Sequence, residues 1–247
     1  QFVKEVLEHW GLSVTKIPET ENKTPDFLAV AADSSYLIEL KTKSPNPEAI
    51  HRRDSTLNAG ELFDELIPLI RKNRLSGVIR KASSQLSAYD AEDSFQLVWL
   101  HSEGHNASAH MYQFEVTLYG STTLVDFSEN GTAGDCYFFT NSDFHRYSHV
   151  LDGAILSTPN EAKICLNPLS DKYKQLKQSF LCTSLDSGIC DPLGREANGE
   201  AYIVDGDIDR DNKEEVLNFL RQKYNEEKLM EMPMNQVSVA MAVPHEE

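Results

Sequence analysis

Hydrophobic and polar residues follow a strand-like pattern in two short segments near the start of the chain. Residues 27–30 and 36–40 are rich in β-branched, aromatic and other apolar side chains, as buried strands are. Between them, Asp33, Ser34 and Ser35 have side chains that favour turns. The pattern therefore predicts a β-hairpin with two buried arms.

The rest of the pattern predicts an α/β protein. Residues 1–10 have the spacing of an amphipathic helix, and residues 12–17 alternate like a strand. Residues 57–89 favour a long helical region, with a division at Ser76 and Gly77 as an open alternative. The apolar residues of this region that we expect in the core are Leu62, Phe63, Leu66, Leu69 and Ile70.

Residues 95–100 predict a central strand, and the chain beyond them is rich in strand patterns. The predicted strands there are 111–119, 122–127, 136–140, 154–156 and 162–166. The length of 247 residues suffices for one elaborated domain or two small ones. We expect a core over 1–101, a strand-rich extension or small second domain over 102–182, and a loop and C-terminal helix over 183–247.

Three charged side chains lie in or beside the predicted hairpin, where apolar surroundings make charge costly. They are Asp26, Glu39 and Lys41. Side chains two residues apart on a strand point to the same face, so Glu39 and Lys41 project side by side. The neighbouring arm can bring Asp26 alongside them. Two carboxylates and an ammonium on one face have the chemistry of a site for a hard divalent cation.

The order of these residues resembles a known signature. Pro25-Asp26 followed, after twelve residues, by Glu39-Leu40-Lys41 is similar to the motif of the PD-(D/E)XK nucleases, the restriction-endonuclease-like superfamily. Gln85 and Tyr89 form a Gln-x-x-x-Tyr pattern similar to the helix motif of the RecB and lambda-exonuclease branch. The resemblance covers about the first hundred residues. It implies a restriction-endonuclease-like α/β core, with a central mixed sheet flanked by helices, to which the pattern of the second half adds a strand-rich elaboration.

The resemblance also implies a metal centre. Asp26 and Glu39, with the backbone carbonyl of Leu40, would hold one or two Mg²⁺ ions, for which Mn²⁺ can substitute. In the resembled family an acidic residue of the first helix often joins the metal site, which makes Glu5 and Glu8 candidates.

Catalytic roles follow from the same resemblance. Lys41 would orient the attacking water or stabilise charge in the transition state. Gln85 and Tyr89 would position the phosphate and the ligands, since both side chains donate and accept hydrogen bonds.

The Glu-x-Lys part of the motif is common, and context has to decide among its copies. They are Glu21/Lys23, Glu39/Lys41, Glu161/Lys163 and Glu226/Lys228. The Glu161 copy lies between apolar segments and competes with the first. Only the Glu39 copy has the preceding Pro-Asp and the following Gln/Tyr pair, so we favour it. The alternative is an ordinary ion pair of Glu39 with Lys41 at a sheet edge.

The net charge of −16 argues against a general nucleic-acid binder, but its distribution is uneven. Residues 41–81 contain nine Lys and Arg against five acidic residues. A phosphate backbone would therefore contact this segment, and the candidate nucleic-acid-binding residues are Lys43, Arg52, Arg53, Arg80 and Lys81. The acidic remainder favours tight control, small substrates or a basic partner subunit. Assembly as a homo-oligomer stays open.

The cysteines, the apolar runs and the histidines do not indicate a further functional site. The four cysteines lack Cys-x-x-Cys spacing, which favours a reducing, cytoplasmic location without zinc. No apolar run approaches the ~18–20 residues of a membrane span. Histidines at 101, 105, 110, 145 and 149 lack a third-ligand pattern, and we expect surface or hydrogen-bonded roles for them.

The sequence predicts a metal-dependent nuclease that hydrolyses phosphodiester bonds, with DNA as the expected substrate and host defence or DNA processing as its setting. Two alternatives stay open. One is an inactive nuclease scaffold that serves as a binding or regulatory module, and the other is a nuclease for RNA or small nucleotides.

Overall fold

A computed structural model describes residues 2–19, 24–32, 34–89, 91, 93–129, 131–185 and 187–242. The helices are α1 (Phe2–His9), α2 (Pro47–Asn58), α3 (Asn73–Ser87), α4 (Ala107–Tyr119), α5 (Asp143–Arg146), α6 (Tyr173–Gln178), α7 (Phe180–Thr183), α8 (Pro192–Ala197) and α9 (Lys213–Tyr224). The strands are β1 (Ser13–Lys16), β2 (Phe27–Ala31), β3 (Ser34–Lys43), β4 (Phe63–Pro68), β5 (Phe95–Ser102), β6 (Thr122–Asp126), β7 (Ala133–Tyr137), β8 (Gly153–Ser157), β9 (Ala162–Leu166), β10 (Ile189–Cys190), β11 (Ala201–Ile203), β12 (Leu229–Glu231) and β13 (Asn235–Ala240).

A mixed seven-stranded sheet, in the order β1-β2-β3-β5-β8-β9-β10, forms the centre of the fold. Strands β1 to β3 form an antiparallel meander, and β3, β5 and β8 are parallel neighbours. The predicted hairpin is therefore confirmed as β2 and β3, although Asp33 of its turn lies outside the described residues. The long strand β3 is buried over most of its centre, as its apolar sequence requires.

Helices cover both faces of this sheet. On one face, α3 and α4 pack through residues such as Ile79, Leu86 and Phe114. On the other face, α1 buries Val3 and Leu7 together with the short helices α6 and α7. The prediction of a mixed α/β fold with a helix-flanked central sheet is confirmed. Among the described residues, no helix combines the length and apolar character needed to cross a bilayer.

A smaller sheet in the order β11-β7-β6-β12 and a two-stranded ribbon of β4 and β13 complete the structure. The second half is strand-rich, but not all of its strands form a separate layer. Strands β8, β9 and β10 extend the large sheet beyond β5. The predicted division at residue 101 thus does not coincide with a division of that sheet.

The prediction of continuous helix over residues 57–89 is wrong. Residues 63–68 form β4, which pairs antiparallel with β13 near the C-terminus of the chain. Of the apolar residues that we expected in the core of this helix, Phe63 is buried, whereas Leu66 is 62 % exposed. The partner strand lies about 170 residues away in sequence, so local periodicity cannot reveal this pairing. Helix α3 in turn runs without a break through Ser76 and Gly77.

The prediction of a strand over residues 111–119 is also wrong, because these residues belong to α4. Ten of its thirteen residues are buried. A helix that is apolar on most sides has no amphipathic period, so its sequence resembles that of a buried strand. This helix fills the space beside the large sheet, where it contacts both β5 and β8.

Candidate active site

The backbone holds Asp26, just before β2, beside the segment 38–40 of β3. Phe27 pairs with Ile38 in the antiparallel ladder, and the N–H of the preceding Asp26 donates to the Ile38 carbonyl at 3.1 Å. The Asp26 carboxylate is fixed there because its Oδ2 accepts a hydrogen bond of 2.8 Å from the Leu40 N–H.

Helix α3 supplies the third side of the site. Lys41 on β3 donates hydrogen bonds to Glu39 and to Gln85 Oε1, the latter at 3.0 Å. Gln85 Nε2 in turn donates to the Thr24 carbonyl at 3.3 Å, next to the Pro25-Asp26 step. The glutamine therefore ties the helix to both arms of the motif and fixes the position of the ammonium.

Glu39 has the most unusual environment of the group. Its side chain is 1 % exposed, and its Oε2 has no hydrogen-bond partner in the described part of the chain. Burial, together with the nearby Asp26 carboxylate, raises the pKa of Glu39 to about 7 against the opposing effect of Lys41. A buried carboxylate oxygen without a donor is a strong ligand position for a cation, because a cation would replace the lost solvation.

The structure leaves some predicted residues apart from this group. Tyr89 lies beyond the end of α3 at Ser87 and packs against the apolar core. Glu8 pairs with Lys4 at 3.6 Å on the exposed side of α1, the same helix that carries Glu5. This helix packs on the face of the sheet opposite to the face that receives α3.

A basic cleft of about 470 Å³ adjoins Lys41. Lys43, two residues further along β3, and Arg74 of α3 line it as well. Burial lowers the pKa of Lys43, and the positive charge of Arg74 contributes to the shift. Three cationic side chains in one cleft suit a polyanion.

The other candidate nucleic-acid-binding residues lie on the two neighbouring helices. Arg52 and Arg53 of α2 pair with Glu65 and Asp54. Arg80 and Lys81 are exposed on α3.

The competing Glu-x-Lys copy at Glu161 and Lys163 has different partners from the Glu39 copy. In the β8–β9 hairpin, Lys163 pairs with Glu115 at 2.7 Å, and Glu161 accepts a hydrogen bond from Ser108. The Glu21/Lys23 copy lies outside the described residues.

Sequence reasoning missed a buried cluster of Glu115, Cys165 and Cys190. One ligand atom from each lies within 4.8 Å of the others, so the cluster could hold a metal ion. Burial raises the pKa of the Cys165 thiol well above its usual range, which disfavours the thiolate form that metals require. The two cysteines are opposite each other on the parallel strands β9 and β10, a pairing that no sequence spacing signals. Within the described ranges no comparable group contains a histidine.

Comparison with known proteins gives no family for this chain. It matches no protein-family model, no curated protein and no solved structure.

Proposed function

We propose that this protein is a metal-dependent nuclease of the PD-(D/E)XK type, with its catalytic centre at Asp26, Glu39 and Lys41. The observation that carries the proposal is the convergence of these residues with Gln85. The residue that precedes β2, strand β3 and helix α3 bring them together from positions up to 59 residues apart in sequence.

The donor set fits a divalent cation. Asp26 and Glu39 offer carboxylate oxygens close to each other, and within the described residues Glu39 Oε2 is buried without a donor. Hard cations such as Mg²⁺ and Mn²⁺ bind oxygen ligands of this kind. These carboxylates, with the Leu40 carbonyl, are the residues that would hold the ion. When bound, Mg²⁺ would supply positive charge and Lewis acidity for phosphodiester hydrolysis.

The protein's own groups then orient the substrate and the attacking water. Lys41 presents a fixed ammonium beside the carboxylates, where it stabilises negative charge as it builds on the phosphate. Gln85 holds this ammonium through its Oε1 and so acts as a positioning residue. The basic cleft at Lys43 and Arg74 would hold the backbone of the strand, with DNA as the proposed substrate.

A second candidate function is an inactive binding module on the same scaffold. It is favoured by the direct ion pair of Lys41 with Glu39, which satisfies one carboxylate oxygen without a metal. Metal binding separates the two functions, because an inert ion pair has no affinity for Mn²⁺.

The decisive experiment measures Mn²⁺ binding by titration calorimetry and cleavage of plasmid DNA with the same preparations. Asp26→Asn removes a charged ligand but keeps an oxygen that can accept from the Leu40 N–H, so the fold should stay intact. We expect it to weaken Mn²⁺ binding at least about tenfold and to abolish cleavage.

Glu161→Gln is the matched control, since it alters the same motif in the other hairpin. It should leave both properties unchanged. Unaltered cleavage by Asp26→Asn would overturn the proposal.

A further inference from the structure

A second basic cavity lies at the N-terminal end of α3, away from Lys41. Its volume is about 320 Å³, and its lining includes Arg71, Arg80 and Arg146 together with Asn73, Asn141 and Tyr147. Arg80, at the end of the cavity nearer to Gln85, is five residues from it on the same helix, which corresponds to roughly 7.5 Å. The cavity shares no lining residue with the basic cleft at Lys41 and is distinct from it.

A buried acid holds two of the arginines in place. Asp143 is fully buried and accepts a hydrogen bond of 2.7 Å from the Ser76 hydroxyl. Arg146 and Arg71 lie 3.3 Å and 3.7 Å from the same carboxylate oxygen. Arg71 also donates to Asn73 at 2.7 Å. These contacts fix the guanidinium groups before any ligand arrives, which lowers the entropic cost of binding.

Arg71 and Arg80 keep N–H donors that make no hydrogen bond within the described residues. Arg71 Nε is buried and has no acceptor within the described residues. Arg80 is exposed, and its side chain has neither a hydrogen-bond acceptor nor an ion-pair partner in that part of the chain. Three guanidiniums against the single carboxylate of Asp143 leave a formal charge of +2, in a protein whose net charge is −16.

We propose that this cavity binds a phosphate monoester. A monoester dianion carries the charge that the three arginines leave uncompensated. Its oxygens match the paired N–H donors of guanidinium groups, and the positive end of α3 adds to the attraction. The cavity is separate from Lys41 and its ligand needs no divalent metal, so this inference stands independently of the proposed nuclease activity.

Titration with inorganic phosphate at low salt and without divalent metal tests the site. Arg80→Gln removes a guanidinium that has no structural partner in the described chain, so the fold is retained. We expect it to raise the Kd about tenfold. Arg71→Gln should raise the Kd at least as much, but it weakens the pairing of buried Asp143, so circular dichroism must first confirm its fold.

Lys174→Gln is the matched control, because it removes one positive charge from an exposed position on α6. It should change the Kd by less than about twofold. Equal losses in Lys174→Gln and Arg80→Gln would show general charge attraction and overturn the site, as would the absence of phosphate binding.

The source of the phosphate is distinguished by two further probes. Adenosine monophosphate represents free nucleotides, and an oligonucleotide with a terminal phosphate represents strand ends, each compared with its dephosphorylated form. Tighter binding of either phosphorylated probe, lost in Arg80→Gln, supports the site and identifies its source. No preference for the phosphorylated form in either pair would overturn the assignment to a monoester.

Discussion

Lys41 Nζ donates a hydrogen bond to Gln85 Oε1 at 3.0 Å, joining the central strand β3 to helix α3. The same ammonium pairs with the buried Glu39. The position of the positive charge is thus set by two acceptors from different elements. Any change at Gln85 should alter how the ammonium is held without altering the carboxylates.

Gln85→Ala tests this positioning role. The alanine removes an acceptor from Lys41 and a donor to Thr24, and both changes loosen the ammonium. We expect kcat for DNA cleavage to fall about tenfold or more, with the Kd for Mn²⁺ unchanged. Ser84→Ala changes the neighbouring exposed helix position and should preserve kcat. A fall in Mn²⁺ affinity in Gln85→Ala would contradict a role exerted through Lys41.

Lys41→Met separates metal binding from catalysis. Methionine keeps the aliphatic length and removes the charge, so the carboxylates of Asp26 and Glu39 remain. We expect cleavage to fall by about 10²–10³ while calorimetry still detects Mn²⁺ binding. Cleavage at the wild-type rate would show that the ammonium has no part in the reaction.

Leu86→Ala and Leu66→Ala compare the same substitution on α3 and on β4. Leu86 is fully buried one residue from Gln85, whereas Leu66 is 62 % exposed. We expect the buried change to lower the free energy of unfolding by about 2–4 kcal/mol, because it leaves a cavity. The exposed change should stay within about 0.5 kcal/mol. Similar losses in urea unfolding would contradict the placement of Leu66 on an exposed strand.

From the surroundings of His110 we expect the free energy of unfolding to decrease in mild acid. Burial, together with the positive charge of Lys43 and a smaller effect of His105, lowers the pKa of His110 to about 4 against the opposing effect of Glu65. Its Nδ1 is also buried without a partner in the described chain. Below a pH of about 6.5 this histidine is protonated in the unfolded chain but stays neutral in the folded protein. The free energy of unfolding therefore falls as the pH drops towards 4.

His110→Gln removes this titration. We expect the difference in unfolding free energy between pH 7 and pH 4.5 to be about 1–2 kcal/mol smaller in the variant than in the wild type. His9→Gln, on α1, is the control and should match the wild type. Parallel pH curves for wild type and His110→Gln would refute the prediction.

The hairpin and the grouping of Glu39 with Lys41 were predictable from the sequence. Alternation of apolar residues is a local property, and it predicted β2, β3 and β5 because each strand buries its own side chains in the central sheet. The two-residue period also placed Glu39 and Lys41 on one face. The sequence also allowed the neighbouring arm to bring Asp26 alongside them, and in the structure the Asp26 carboxylate accepts a hydrogen bond from the Leu40 N–H of β3.

Other features depended on contacts between distant segments. Strand β4 exists because β13 pairs with it, and α4 resembles a strand in sequence because neighbouring elements surround it. The same holds for the cavity of Arg71, Arg80 and Arg146, which joins the start of α3 to α5. Local periodicity records only which side chains are buried. Contacts between distant segments determine which residues bury these side chains and which charges come together. The reason is that burial and charge pairing depend on distance in space rather than along the chain.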